Sequence, residues 1–85
     1  MLFFIDYDLR KQRNYQPLYD ALKSFGAIHV LESTWCFHRK GTTASTLRDF
    51  FKQFIDADDA LAVTEVCDWA TWNTLGHPNQ LPRAA

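Results

Sequence analysis

Eighty-five residues, 47% apolar and 15% aromatic, are enough for one folded domain and exclude a disordered or low-complexity chain. A net charge of −1 supplies no general electrostatic drive toward nucleic acid or membrane, and no apolar run approaches the length of a membrane span. A domain this short buries only about 60% of its unfolded surface, so its core is small and a second chain would add to it.

In chain order, residues 2–8 read as a strand. Leu2, Phe4, Asp6 and Asp8 lie on one face, and Phe3, Ile5 and Tyr7 lie on the other, with both faces apolar in the middle. A helix follows, with Asn14 as N-cap and Pro17 in the first turn, where its missing N–H costs nothing. Tyr15, Leu18, Tyr19, Leu22 and Phe25 recur at helical spacing, and Gly26 stops the helix. Residues 27–31 and 34–38 read as two strands, or one long bent strand, with a tight turn or a bulge at Glu32-Ser33. A second helix starts near Thr43 or Ser45 and carries Leu47, Phe50, Phe51, Phe54 and Ile55. After the polar turn 56–59, residues 60–66 form a last strand, with Leu61 and Val63 on one side and Ala62 and Val66 on the other.

The order β-α-β-β-α-β predicts an α+β ferredoxin-like domain over residues 1–75, with two helices on one face of an antiparallel sheet. Residues 76–85, with Pro78 and Pro82, read as a loosely held C-terminal tail. The first and last strands are apolar on both faces, so the face away from the helices would be an apolar patch on a monomer. A homodimer burying sheet against sheet is the expected remedy.

Candidate chemistry is concentrated at the end of the first strand. Asp6 and Asp8 share a face about 7 Å apart by strand geometry, and a two-fold axis on that face would bring Asp8 from two chains together. Paired carboxylates with water suit Mg²⁺, which can activate water against a phosphodiester. The competing reading makes each aspartate a turn cap. Charge is uneven: residues 1–50 balance at +2 and 51–85 at −3. The candidate phosphate-facing cations are therefore Arg10, Lys11 and Arg13 after the first strand, and Arg39 and Lys40 after the third, at opposite ends of the sheet. Cys36 and Cys67 have neither CxxC nor metal-ligand spacing, and His29, His38 and His77 are scattered. Trp35, Trp69 and Trp72 read as core or interface anchors before base-stacking platforms. With no secretory signal in view, a reducing cytoplasm is the expected setting.

The Tyr7-Asp8 strand end, the Arg10-to-Arg13 loop, Leu22-Lys23-Ser24-Phe25-Gly26, Ser33-Thr34-Trp35-Cys36-Phe37 and Asp58-Asp59-Ala60-Leu61 together resemble a known group. It is the small CRISPR-associated adaptation protein family, the second numbered member of that system, with its virulence-associated protein D and SinR-like relatives. The wording from Asn14-Tyr15 through Asp20-Ala21, then Ser33-Thr34-Trp35, is closest to the SinR-like branch. The resemblance implies a ferredoxin-like homodimer, metal-dependent nuclease activity on RNA or DNA in some members, and an architectural DNA-binding role in others. The family's strand-end aspartate maps onto Asp8. Trp35 and Cys36 break its Ser-x-Phe strand, Leu31-Glu32 stand where a glutamine is usual, and its C-terminal crossing strand is reduced to residues 68–72.

Two functional expectations follow. One is a nucleic-acid-binding homodimer acting as a Mg²⁺-dependent endoribonuclease or endonuclease through Asp8 of each subunit. The other is a non-catalytic protein-interaction module, antitoxin-like or architectural, whose partner surface is the acidic second half with Trp69 and Trp72.

Overall fold

The computed structural model describes residues 1–82; residues 83–85, the end of the expected tail, lie outside the described residues. Six main elements follow in the order β1 (Leu2–Asp8), α1 (Gln16–Ser24), β2 (Ile28–Leu31), β3 (Thr34–His38), α2 (Ala44–Lys52) and β4 (Ala60–Val66). They build a small α+β domain whose single sheet has the strand order β2-β3-β1-β4, with every neighbouring pair antiparallel. β1 takes an inner place, in register with β3 from Leu2↔His38 to Asp6↔Thr34 and with β4 from Leu2↔Val66 to Asp8↔Ala60.

Local chemistry accounts for the boundaries. Asn14 Oδ1 accepts from Gln16 N–H at 2.9 Å, so Asn14 caps the start of α1 from one residue further out than the cap position, which Tyr15 occupies. Gly26 sits at φ +70°, a left-handed conformation with little cost for glycine, and lets Gly26 and Ala27 N–H reach the carbonyls of Lys23 and Leu22. Thr43 Oγ1 accepts from Thr46 N–H at 3.2 Å and starts α2. The apolar spacing runs on to Ile55, but α2 ends at Lys52. Phe54 and Ile55 N–H turn to the carbonyls three residues back, which tightens the chain toward β4.

The alternation of β1 sorts the two sheet faces. Phe3, Ile5 and Tyr7 join Trp35 and Phe37, Leu18 and Leu22 of α1, and Leu47 and Phe51 of α2 in one buried cluster. Phe37 is its centre, with ring centroids 5.8 Å from Phe3, 5.2 Å from Phe25 and 5.8 Å from Phe51. The opposite face carries Leu2, Phe4, Cys36 and Ile28, and part of it is covered by the chain's own C-terminal segment. Leu75 N–H donates to Val30 O at 2.8 Å, Gly76 lies against Ile28, and Gly76 and Pro78 are buried, the latter opening a short 3-10 helix (Pro78–Gln80). Val30 and Cys36 are buried on this side, outside the helix-side cluster. No helix among the described residues is long and apolar enough to cross a membrane.

Candidate functional site

β1 and β4 are antiparallel neighbours, so the loop leaving β1 and the loop entering β4 meet at one end of the sheet. The first carries Arg10, Lys11 and Arg13, and the second carries Asp56, Asp58 and Asp59. They interlock. Lys11 Nζ lies 2.8 Å from Asp58 Oδ2, and Arg13 Nη1 lies 3.2 Å from Asp56 Oδ2. Arg10 pairs through Nε with Asp8 Oδ2 at 3.0 Å and donates through Nη1 to Asp58 O at 3.0 Å. Of the five expected phosphate-facing cations, the three of this loop are thus all engaged with acidic groups or backbone of their own chain. Exposed pairs of this kind contribute about 0–1 kcal/mol each; their effect on charge is larger than their effect on stability.

The carboxylate that organises this end is Asp59. It accepts from Arg10 N–H at 2.6 Å, from Tyr15 Oη at 2.7 Å and from Asp56 N–H at 2.7 Å. Tyr15 Oη in turn accepts from Lys11 N–H at 3.2 Å, and the Arg13 guanidinium lies 5.5 Å from the Tyr15 ring centre. Partial desolvation pushes the Asp59 carboxyl up. The three hydrogen bonds, with Arg13 nearby, outweigh it and hold the group below its ordinary value. Its share of stability is therefore present above the ordinary carboxylate range and is lost as pH falls through the lowered folded value. Asp59→Asn is expected to lower Tm at pH 7 by more than Asp8→Asn does. The Asp59→Asn deficit should shrink as pH is lowered to 3 in thermal melts; a pH-independent deficit would refute the linkage.

Asp8 sits at the rim, two-thirds exposed, with the Arg10 guanidinium on one oxygen. Asp6 shares its face but accepts from Thr34 Oγ1, a strand-to-strand contact within the sheet. A cation at Asp8 would meet Arg10 at ion-pair distance, and no group of three His, Cys, Asp or Glu able to hold a metal occurs among the described residues. Within one chain Asp8 thus stands as a single carboxylate beside a guanidinium. Arg39 lies at the other end of β1: its N–H donates to Met1 O at 3.0 Å, and its guanidinium stands 4.1 Å over the Phe25 ring centre. Lys40 follows it in the chain, so the two basic groups remain apart within one molecule.

The tryptophans divide. Trp35 is buried, stacked on His29 at 4.3 Å, and donates through Nε1 to Tyr7 Oη at 3.0 Å. It floors an open groove of about 440 Å³ between α1 and the β2–β3 turn, edged by Gln16, Tyr19, Lys23 and Glu32. Burial raises the Tyr7 hydroxyl, with the Trp35 N–H partly offsetting it, so Tyr7 acts here as a neutral link from Trp35 Nε1 to Glu32 O. Trp69 stacks on His77 at 6.2 Å, whereas Trp72 is 90% exposed.

The Tyr15–Asp59 clasp escaped the reading of the sequence, where Tyr15 belongs to a helical stripe and Asp59 to a polar turn. The signal was topological: in β-α-β-β-α-β order with β4 beside β1, the entry to β4 must lie next to the exit from β1. No protein-family model matches the chain.

Proposed function

We infer that the domain is a protein-interaction module with a ferredoxin-like fold, rather than a nuclease built on Asp8. The strand order, with β1 and β3 inside and β2 and β4 outside, supports the ferredoxin-like assignment. The observation that carries the functional reading is the interlock of Arg10, Lys11 and Arg13 with Asp8, Asp56 and Asp58. Phosphate binding needs several cations acting together, and these already face carboxylates. Exposed apolar side chains support partner binding: Trp72 at 90%, Leu75 at 69% and Leu31 at 50%, with Leu75 and Leu31 flanking the same hydrogen bond to Val30. On this reading the chain is a relative of the CRISPR-associated, virulence-associated D and SinR-like group that keeps the fold and has paired its basic loop with carboxylates of its own chain.

The second reading is the dimeric metal-dependent endoribonuclease or endonuclease, favoured by the exposure of the Asp8 carboxylate at a rigid strand end. One experiment separates them: cleavage and retention of labelled single-stranded RNA and duplex DNA by wild type and Asp8→Asn, with and without Mg²⁺ or Mn²⁺. The expected result is equal background cleavage by both proteins and no retention of either nucleic acid. Metal-stimulated cleavage that Asp8→Asn abolishes would overturn the interaction-module reading in favour of the second.

A further inference from the structure

In the groove floored by Trp35 most of the hydrogen-bond donors are spent and several acceptors are not. Trp35 Nε1–H donates to Tyr7 Oη at 3.0 Å, and Tyr7 Oη donates in turn to Glu32 O at 3.4 Å. Glu32 O is a carbonyl and can only accept, so the His29 Nε2 that lies 2.9 Å from it carries a proton. In the neutral ring His29 Nδ1 is then a bare lone pair. Gln16 turns its amide nitrogen to Asp20 Oδ1 at 2.8 Å, which leaves Oε1 as its other end. Lys23 and Glu32 are the only Lys, Arg, Asp or Glu in the lining, and neither has an ion-pair partner among the described residues. The walls beside Glu32 are aromatic. Tyr19 and His29 are half-buried, and His29 lies nearly flat on Trp35, with ring centroids 4.3 Å apart and planes 9° from parallel.

We propose that this groove receives an arginine side chain from an extended segment of a partner protein, with its guanidinium set against Glu32. A guanidinium is planar, permanently charged and rich in donors. It can meet an unpaired carboxylate through two parallel hydrogen bonds while its face rests on an aromatic ring. A lysine ammonium would match the charge but not the flat rings. A phosphate would set acceptors against acceptors, with Lys23 alone in its favour. Lys23 follows Gln16 and Tyr19 on the α1 edge of the groove, across from the turn that carries Glu32. It suits a carboxylate near the arginine in the same segment. The groove is open, so a free small molecule would keep much of its surface in water, whereas a side chain delivered by a bound segment needs no enclosure. Leu31, next to Glu32 in the chain, is 50% exposed, so a segment anchored at Glu32 lies beside the exposed apolar residues already described. This proposal rests on the partner-binding reading and names the chemistry by which the partner is recognised.

Nuclear magnetic resonance titration of the full chain with a blocked peptide, acetyl-Ala-Arg-Ala-Glu-Ala-amide, tests it. The indole N–H signal of Trp35 should move as peptide is added, while those of Trp69 and Trp72, which do not line the groove, should stay in place. Replacing the peptide's arginine with citrulline keeps the shape and removes the charge, and should weaken binding about tenfold or more. Glu32 is exposed, so Glu32→Gln should leave the far-ultraviolet circular dichroism spectrum unchanged and weaken binding about threefold to tenfold. Tyr19→Leu keeps an apolar side chain without the ring and should weaken binding about twofold to fivefold. A Trp35 signal that stays in place up to the highest soluble peptide concentration overturns the proposal. So does equal binding of the arginine and citrulline peptides, or binding indifferent to both Glu32→Gln and Tyr19→Leu. Acetyl-arginine amide binding as tightly as the whole peptide would overturn the partner segment in favour of a small-molecule site. Binding and cleavage are read separately. Asp8-dependent cleavage alongside peptide binding would overturn the interaction-module reading and leave the groove assignment intact, and the absence of both does the reverse.

Discussion

Phe37→Ala is expected to remove about 3–5 kcal/mol of stability, the usual cost of deleting a fully buried aromatic ring. Phe37 has no exposure and its ring meets those of Phe3, Phe25 and Phe51, which come from β1, the end of α1 and α2. Truncation therefore opens a cavity at the point where the sheet and both helices converge, and no neighbour can fill it without abandoning another ring. For a domain of this length the whole stability is about 4–13 kcal/mol, so the loss is a large share of it. Tm should fall by about 15–30 °C. Phe37→Leu, which retains most of the volume, should cost about 1–1.5 kcal/mol. Equal Tm values for the alanine and leucine variants would show that the four rings do not form a shared core.

The second large effect is expected at Gly76, where the reason is space. A Cβ there would lie 2.6 Å from Ile28 Cγ2, 2.7 Å from Gln80 Oε1 and 2.8 Å from the His29 carbonyl oxygen. The first two belong to side chains, but the third is backbone of β2 and cannot yield without disturbing the sheet. Gly76→Val should cost about 1–3 kcal/mol, and the loss should be local: the C-terminal segment lifts from β2 while the helix-side core stays formed. Cys36 reports it, because Cys36 is opposite Ile28 in the register and Gly76 rests on Ile28. Burial pushes the Cys36 thiol up to about 11, whereas Cys67 is exposed. A thiol reagent should therefore label Cys67 of the wild type quickly and Cys36 only through opening of the segment. In Gly76→Val the slow phase should speed up about tenfold or more, since 1.4 kcal/mol is tenfold in an opening equilibrium. An unchanged slow phase would show that the segment does not shield this face.

The two results bear on what could be read from the chain before its structure. Strand periodicity identified β1 and β4 to the residue, because alternating burial leaves a direct trace in residues such as Phe3, Ile5 and Tyr7, whereas β3, buried at four successive positions, was legible from its β-formers Thr34, Trp35 and Phe37. The stripe of α2 read two or three residues long. Phe54 and Ile55 do pack on the core, but they do so from a turn, and spacing alone does not separate those cases. The second sheet face was legible as apolar, yet its partial cover by residues 75–78 was not: Gly76 and Pro78 look like punctuation in the sequence and become contacts only once β2 is beside them. The candidate site was legible as a list of charges. Arg10, Lys11, Arg13 and Asp8 stood out as charges at and just after a strand end. What neutralises Lys11 and Arg13 lies more than forty positions away, so their electrostatic meaning depended on the neighbour of β1.

That neighbour also decides when the fold can close. Every β1–β4 pair joins residues more than fifty positions apart, from Leu2↔Val66 to Asp8↔Ala60. A chain made from its N-terminus at about 5–20 residues per second holds Leu2-Phe3-Phe4-Ile5 in hand for several seconds before its last strand exists. Over that interval α1 and the β2–β3 hairpin can form from local contacts, while β1 keeps one sticky side uncovered. Topologies dominated by such distant pairings fold more slowly than those built from local ones. The Asp59 clasp, made where β4 begins, would then be an early catch that lines up the final strand as it arrives.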